Sequence, residues 1–99
     1  MPQIAFIWDL EHDPEGNYWH ICVEGHGVTR EEVEEVVRDN FGAATRSRSS
    51  GQPEAFGWTS TGKYITIIFE QALDDPLTIY PITAYEVPPP SRTARKRKR

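Results

Sequence analysis

The sequence predicts an α+β domain, with two helices packed on one mainly antiparallel sheet in the order β-α-α-β-β-β-β. Three observations lead there. A helix with a complete start signal follows Val28. After Gly42 the apolar pattern changes from helical to alternating. Tyr64-Ile-Thr-Ile-Ile-Phe69 then forms the strongest strand signal, bounded by Gly62 before it and by Asp74-Asp-Pro76 after it.

The elements follow in order. Ile4, Phe6 and Trp8 alternate with Ala5 and Ile7, which reads as a first strand. Asp13-Pro14 offers an N-cap followed by proline at the first helical position. A short helix is expected from there, with Trp19, Cys22 and Val23 on one face and Gly25 as a left-handed C-cap. Thr29 and Glu32 have the spacing of a capping box, and Val28 and Val33 that of a hydrophobic staple. Val33, Val36 and Val37 make one apolar stripe, with Glu31, Glu34, Glu35 and Arg38 facing water. That helix should end near Asn40 and Gly42. Thr45-Arg-Ser-Arg-Ser49 is a polar strand candidate and Ser49-Ser-Gly-Gln-Pro53 a turn. Ala55-Phe-Gly-Trp-Thr59 is a strand, and Ser60-Thr-Gly-Lys63 a turn. Leu77 to Glu86 is the last strand, and Pro81 restricts it to an edge or a bulge because proline cannot donate to a ladder. Residues 1–87 thus form one domain. Pro88-Pro-Pro90 ends it, and residues 88–99 read as a proline-rich linker and a disordered basic tail.

Ninety-nine residues, 37% of them hydrophobic, suit one domain with a small core. The single cysteine, Cys22, excludes an internal disulfide and a multi-cysteine zinc site. A reducing, cytoplasmic setting is expected, since no basic region or long apolar run opens the chain. No segment has the length and hydropathy of a membrane span. The spacing of His12, His20 and His26 matches no metal motif, and no cofactor is expected. The net charge of −4 conceals a division. Arg92, Arg95, Lys96, Arg97, Lys98 and Arg99 lie in the tail. Residues 1–90 hold five basic and 15 acidic residues, a formal charge of −10. Such a body repels nucleic acid at long range, whereas the tail can contact phosphates.

Several short pieces, in order, carry a family resemblance. They are the strand ending in Trp8-Asp9, the Asn17 helix, His26-Gly-Val28 before the Thr29-Arg-Glu-Glu helix, the Gly62-Lys-Tyr-Ile hairpin and Ile82-Thr-Ala-Tyr85. Together the chain resembles the BrnT toxins of bacterial type II toxin–antitoxin systems, which have a RelE-like ribonuclease fold. The resemblance implies a protein that cleaves RNA without metal and is neutralised by a small antitoxin partner. Tyr85 stands where the family carries arginine.

Metal-independent RNA cleavage needs a base for the 2′-hydroxyl proton, a cation for the phosphate and an acid for the leaving oxygen. Arg46 and Arg48, two apart on a strand, would present two guanidinium groups to one phosphate. The plainer reading is a solvated strand face with a cross-strand ion pair to Glu54. His26, between two glycines, has a pKa suited to proton transfer, or it fixes the loop before the helix. Lys63 assists the site or serves the hairpin turn. Tyr85 donates to a phosphate oxygen or covers the sheet. Trp8, Trp19 and Trp58 read as core residues, with stacking on an RNA base as the minority reading. A non-catalytic protein-interaction module on the same fold is the alternative function.

Overall fold

The computed structural model describes residues 3–25 and 27–90. Helix α1 (Arg30–Asn40) begins as its sequence dictates. The Glu32 N–H donates to Thr29 Oγ1 at 3.2 Å, and the Thr29 N–H donates to Glu32 Oε1 at 2.9 Å. Two N–H groups that the first turn would otherwise leave unpaired are satisfied reciprocally. Val28, Val33, Val36 and Val37 are all buried, so staple and stripe face the same core.

One five-stranded mixed sheet lies against this helix, in the order β1-β5-β4-β3-β2. The strands are β1 (Ala5–Phe6), β2 (Thr45–Arg46), β3 (Pro53–Trp58), β4 (Tyr64–Asp74) and β5 (Leu77–Glu86). β1 runs parallel to β5, and every other pair is antiparallel. Between the sheet and α1 sit Ile65, Ile67, Phe69, Ile79, Ala55 and Ala84, closed from the side by Ile21. Gly57 lets the helix approach closely, because a Cβ there would lie 2.3 Å from Asn40 Nδ2.

Pro81 sits at a bulge in a central stretch of β5. Ile68 pairs with Thr83 but Phe69 with Pro81, so Ile82 is the extra residue. The Pro81 carbonyl, turned out of the ladder, accepts from Asn17 Nδ2 at 2.9 Å.

The segment before α1 departs from expectation. Asp13-Pro14 starts no helix. Asp13 closes a turn instead, taking the Glu15 N–H on its side chain and the Gly16 N–H on its carbonyl, both at 3.0 Å. The helical residues come later, from Asn17, and run into a π-helical stretch Trp19–Val23 in which the Glu24 N–H reaches back five residues to Trp19 O at 2.8 Å. The wider turn changes which residues share a face. Ile21 is fully buried, Trp19 and Cys22 are partly buried, and Val23 is exposed. Gly25 is not left-handed. It is small for another reason, since a Cβ would lie 2.2 Å from the Ile21 carbonyl oxygen.

The candidate strand over residues 45–49 is also shorter than its alternation suggests. Only Thr45–Arg46 pairs with β3. The chain then turns back on itself, with the Ser47 N–H on Gln52 O at 2.7 Å and the Gly51 N–H on Ser47 O at 2.8 Å. Gly51 takes a positive φ of 74° in this turn, a conformation open to glycine at little cost. Arg48 therefore lies in a turn and not on a strand face. No helix of the described residues is long and apolar enough to cross a membrane.

Candidate active site on the helix-free sheet face

Strand alternation decides what the second face of the sheet carries. Because Ala55 and Gly57 point to α1, Glu54, Phe56 and Trp58 point away from it. Their direct partners on β4 are Ile68, Thr66 and Tyr64, and the next partners on β5 are Thr83 and Tyr85. Trp58 is therefore not a core residue. It is 54% exposed, and Phe56 and Tyr85 are 41% and 39% exposed. The sequence reading took large residues as inward, whereas a close helix selects the small ones.

A cleft of about 430 Å³ opens on this face. Arg46, Arg48, Glu54, Phe56, Ile68 and Tyr85 line it, with Thr45 and two serines of the turn. Arg46 Nη1 donates to Gly51 O at 2.6 Å, which holds the guanidinium over the turn. Glu54 accepts from Thr66 Oγ1 at 2.7 Å and so is oriented from the cleft floor. The turn at 47–51 thus brings Arg48 to the same cleft as Arg46, although not by strand alternation.

The charges around the cleft are unusual for this body. Among the described residues Lys63 pairs with Glu32 at 3.1 Å, Arg38 with Glu34 at 3.5 Å and Arg30 with Glu11 at 3.8 Å. Arg46 and Arg48 have no carboxylate within 4.0 Å among the described residues, so the cross-strand ion pair to Glu54 of the plainer sequence reading does not form. In a body with three acids for each base, these two arginines at one turn, both among the residues lining the cleft, make a locally positive segment.

Lys63 stands apart from this cleft. Its Nζ donates to the Gly27 carbonyl and to Glu32, under the start of α1. Glu32 also accepts from Thr61 Oγ1. Burial acts to raise the Glu32 pKa, but the bonds from Thr61, the Thr29 N–H and Lys63 outweigh it and hold the carboxyl below its ordinary value. These contacts give Lys63 a part in closing the helix N-terminus onto the β3–β4 turn. His26 and the tail residues Arg92, Arg95, Lys96, Arg97, Lys98 and Arg99 lie outside the described residues.

Two groups escaped the sequence reading. Glu54 is the carboxylate of the cleft; the sequence offered it only as an ion-pair partner across the strands, not as a group of the site. Asn17 is the other. Its buried amide donates to Ile7 O at 3.0 Å and Pro81 O at 2.9 Å, and accepts from the Asp9 N–H at 2.8 Å. The Asn17 N–H returns to Asp9 Oδ2 at 2.9 Å, and Tyr80 donates its hydroxyl to the same oxygen at 2.7 Å. Those two bonds, Tyr80 first, keep the Asp9 carboxyl below its usual range. The same bond, with burial, pushes the Tyr80 phenol up to about 12.

A larger cavity, about 690 Å³, lies elsewhere, between the π-helical turn and β5. His20, Glu24 and Gly25 form one wall, and the edge of β5 from Thr83 to Glu86 the other. β1 pairs with β5 only at Thr78 and Ile79, so among the described residues no strand covers that edge beyond them. His20 Nε2 approaches Thr83 Oγ1 to 3.0 Å at one end. Among the described residues no group of three or more His, Cys, Asp or Glu is arranged to hold a metal ion. No protein-family model, curated protein or solved structure matches this chain.

Proposed function

We propose that this is a BrnT-like toxin-fold protein that binds and cleaves single-stranded RNA at the cleft on the helix-free sheet face. One observation carries the reading. The two basic residues of the described chain that no carboxylate neutralises, Arg46 and Arg48, line one cleft with a carboxylate and a phenol. A phosphodiester satisfies two guanidinium groups better than any uncharged ligand.

The chemistry follows from these groups. Arg46 and Arg48 bind the phosphate and stabilise charge as it grows on the non-bridging oxygens. Glu54 takes the proton from the 2′-hydroxyl as O2′ bonds to phosphorus. The P–O5′ bond breaks, and the leaving oxygen takes a proton from the Tyr85 hydroxyl. The products are a 2′,3′-cyclic phosphate and a 5′-hydroxyl end. The β5 edge groove favours the second reading, a protein-interaction module. An exposed strand edge offers unpaired backbone groups to an extended segment of a partner such as a small antitoxin.

The test is cleavage of a labelled single-stranded RNA by purified protein. Replacing both arginines (Arg46→Ala with Arg48→Ala) should reduce cleavage by at least about a hundredfold, as loss of transition-state charge stabilisation does. Far-UV circular dichroism should not change, since both residues are exposed. With a single carboxylate in the cleft, cleavage should survive EDTA. Full activity in the double variant would remove the phosphate clamp. No cleavage and no growth arrest on induced expression would leave the interaction module as the better reading.

A further inference from the structure

The cleft continues into a row of aromatic rings. Phe56 belongs to both, since it lines the cleft and lies beside Tyr64 with ring centres 6.4 Å apart and planes 20° apart. Trp58 follows, with its ring centre 5.2 Å from that of Tyr64. Register puts all three on the helix-free face, and Phe56 and Trp58 are about half exposed. Exposed aromatic side chains cost solubility, and two on alternate positions of one strand form a flat apolar strip. By register Glu54 lies on this face between Phe56 and β2, so a single carboxylate stands between the strip and the two arginines that line the same cleft.

We infer that Phe56, Tyr64 and Trp58 form a stacking platform for unpaired nucleobases, leading the strand into the Arg46/Arg48 cleft. This rests on the RNA reading above and names the part of the RNA that the site grips. Phosphate contacts position a strand and stacking holds its bases, and both are supplied side by side here. Duplex RNA hides its base faces, so the platform selects single strands. Stacking accepts every base, so it sets strandedness and orientation more than sequence. Charge complementarity favours a nucleic acid over an apolar protein surface, because the strip shares its cleft with two arginines that no carboxylate within 4.0 Å pairs among the described residues.

The platform is tested by binding, apart from cleavage. The probes are a labelled uridine oligomer of about ten nucleotides, within the range one such surface covers, and an RNA hairpin of matched length. Trp58→Ala should weaken the single strand by about tenfold, the loss expected from one stacked base. Trp58→Phe should restore most of the affinity. The uridine oligomer should quench tryptophan fluorescence in the wild type and much less in Trp58→Phe, because Trp8 and Trp19 are mostly covered. The hairpin should bind more weakly and quench less.

The outcomes separate the two readings. Unchanged affinity in Trp58→Ala and in Phe56→Ala, with RNA binding lost in the double arginine variant, overturns the platform and leaves the clamp. Lost affinity in Trp58→Ala with none lost in the arginine variant keeps the platform and removes the clamp. A wild type that neither binds the oligomer nor shows quenching overturns both. Dimerisation that disappears in Trp58→Ala, without RNA binding, shows that the strip joins protein chains.

Discussion

Single residues in this chain do work that their neighbours in sequence do not announce. Glu32 is the clearest case. It was legible as half of a capping box, because that motif is local. Its bonds to Thr61 and Lys63 were not, because they span 29 and 31 residues. The long-range bonds give it a pH signature. Its pKa in the folded protein lies below the ordinary carboxylate value near 4. In the unfolded chain the carboxyl binds its proton at a higher pH than in the folded one. Its contribution is therefore complete above the unfolded value and is lost as pH falls through the folded one. Asp9 acts in the same direction, through Tyr80 and Asn17. Glu32→Gln keeps an acceptor for the Thr29 N–H but removes the charge opposite Lys63. At neutral pH it should cost about 1–2 kcal/mol, the range for a hydrogen bond to a charged group. The measurement is denaturant unfolding of both proteins from neutral pH down to the acid limb. The gap between them should close as pH falls. A gap that is constant with pH would mean that the Glu32 charge adds nothing and that its role is capping alone.

At the scale of elements, what the sequence reveals depends on whether the signal is local. Helix α1, the β3–β4 hairpin with its Gly62 turn (φ 94°) and the break at Asp74-Asp-Pro76 are read correctly because period and turn chemistry act within a few residues, although β4 runs on to Asp74, past the expected strand end at Phe69. The strand at 45–49 misleads, because alternation of polar residues needs no partner strand and a turn closed by Ser47 and Gly51 leaves the same pattern. Trp58 misleads because alternation defines two faces without saying which one the helix covers. Gly57, small on the side where α1 comes close, was the available clue. The π-helical turn is illegible, since an i to i+5 bond gives no period that a five-residue stretch can display. Asn17 holds this turn to the sheet, joining Ile7 of the β1 segment and Pro81 of the β5 bulge through one amide. Asn17→Ala would leave two buried carbonyls and the Asp9 N–H without their partner. About 2–3 kcal/mol of stability should go, the penalty for orphaned buried polar groups. Hydrogen exchange should localise the loss to residues around 7–25. Asn17→Asp should fare no better, because a carboxylate cannot donate to either carbonyl. A small loss in both variants would show that water replaces the amide freely and that the turn docks by Ile21 alone.

At the scale of the whole molecule, charge sets the terms on which RNA can be met. Residues 1–90 carry a formal −10, and the remaining nine residues carry six positive charges. Long-range repulsion from the body and attraction by the tail therefore compete, and both are screened by salt. On the proposed reading Arg46 and Arg48 would act only once the strand is close. The tail would capture the strand by its phosphates, and the cleft and platform would hold it. Single-strand binding loses affinity with salt at a slope of about −0.7 for each phosphate neutralised. Six tail cations, if all engage, contribute a slope of about −4. Deleting Arg92 to Arg99 should remove most of that slope while leaving the fold intact. The sheet ends at Glu86, and the chain leaves it where the Val87 N–H donates to Tyr64 O at 2.9 Å, before the three prolines. The truncated protein, at its formal charge of −10, should also associate more slowly at low salt. The residual slope belongs to Arg46 and Arg48, and the double arginine variant of the truncated protein should abolish it. The measurement is oligonucleotide affinity at several salt concentrations for the three proteins. Equal slopes for full-length and truncated protein would show that the tail takes no part, and a protein partner for the tail would then be the better reading.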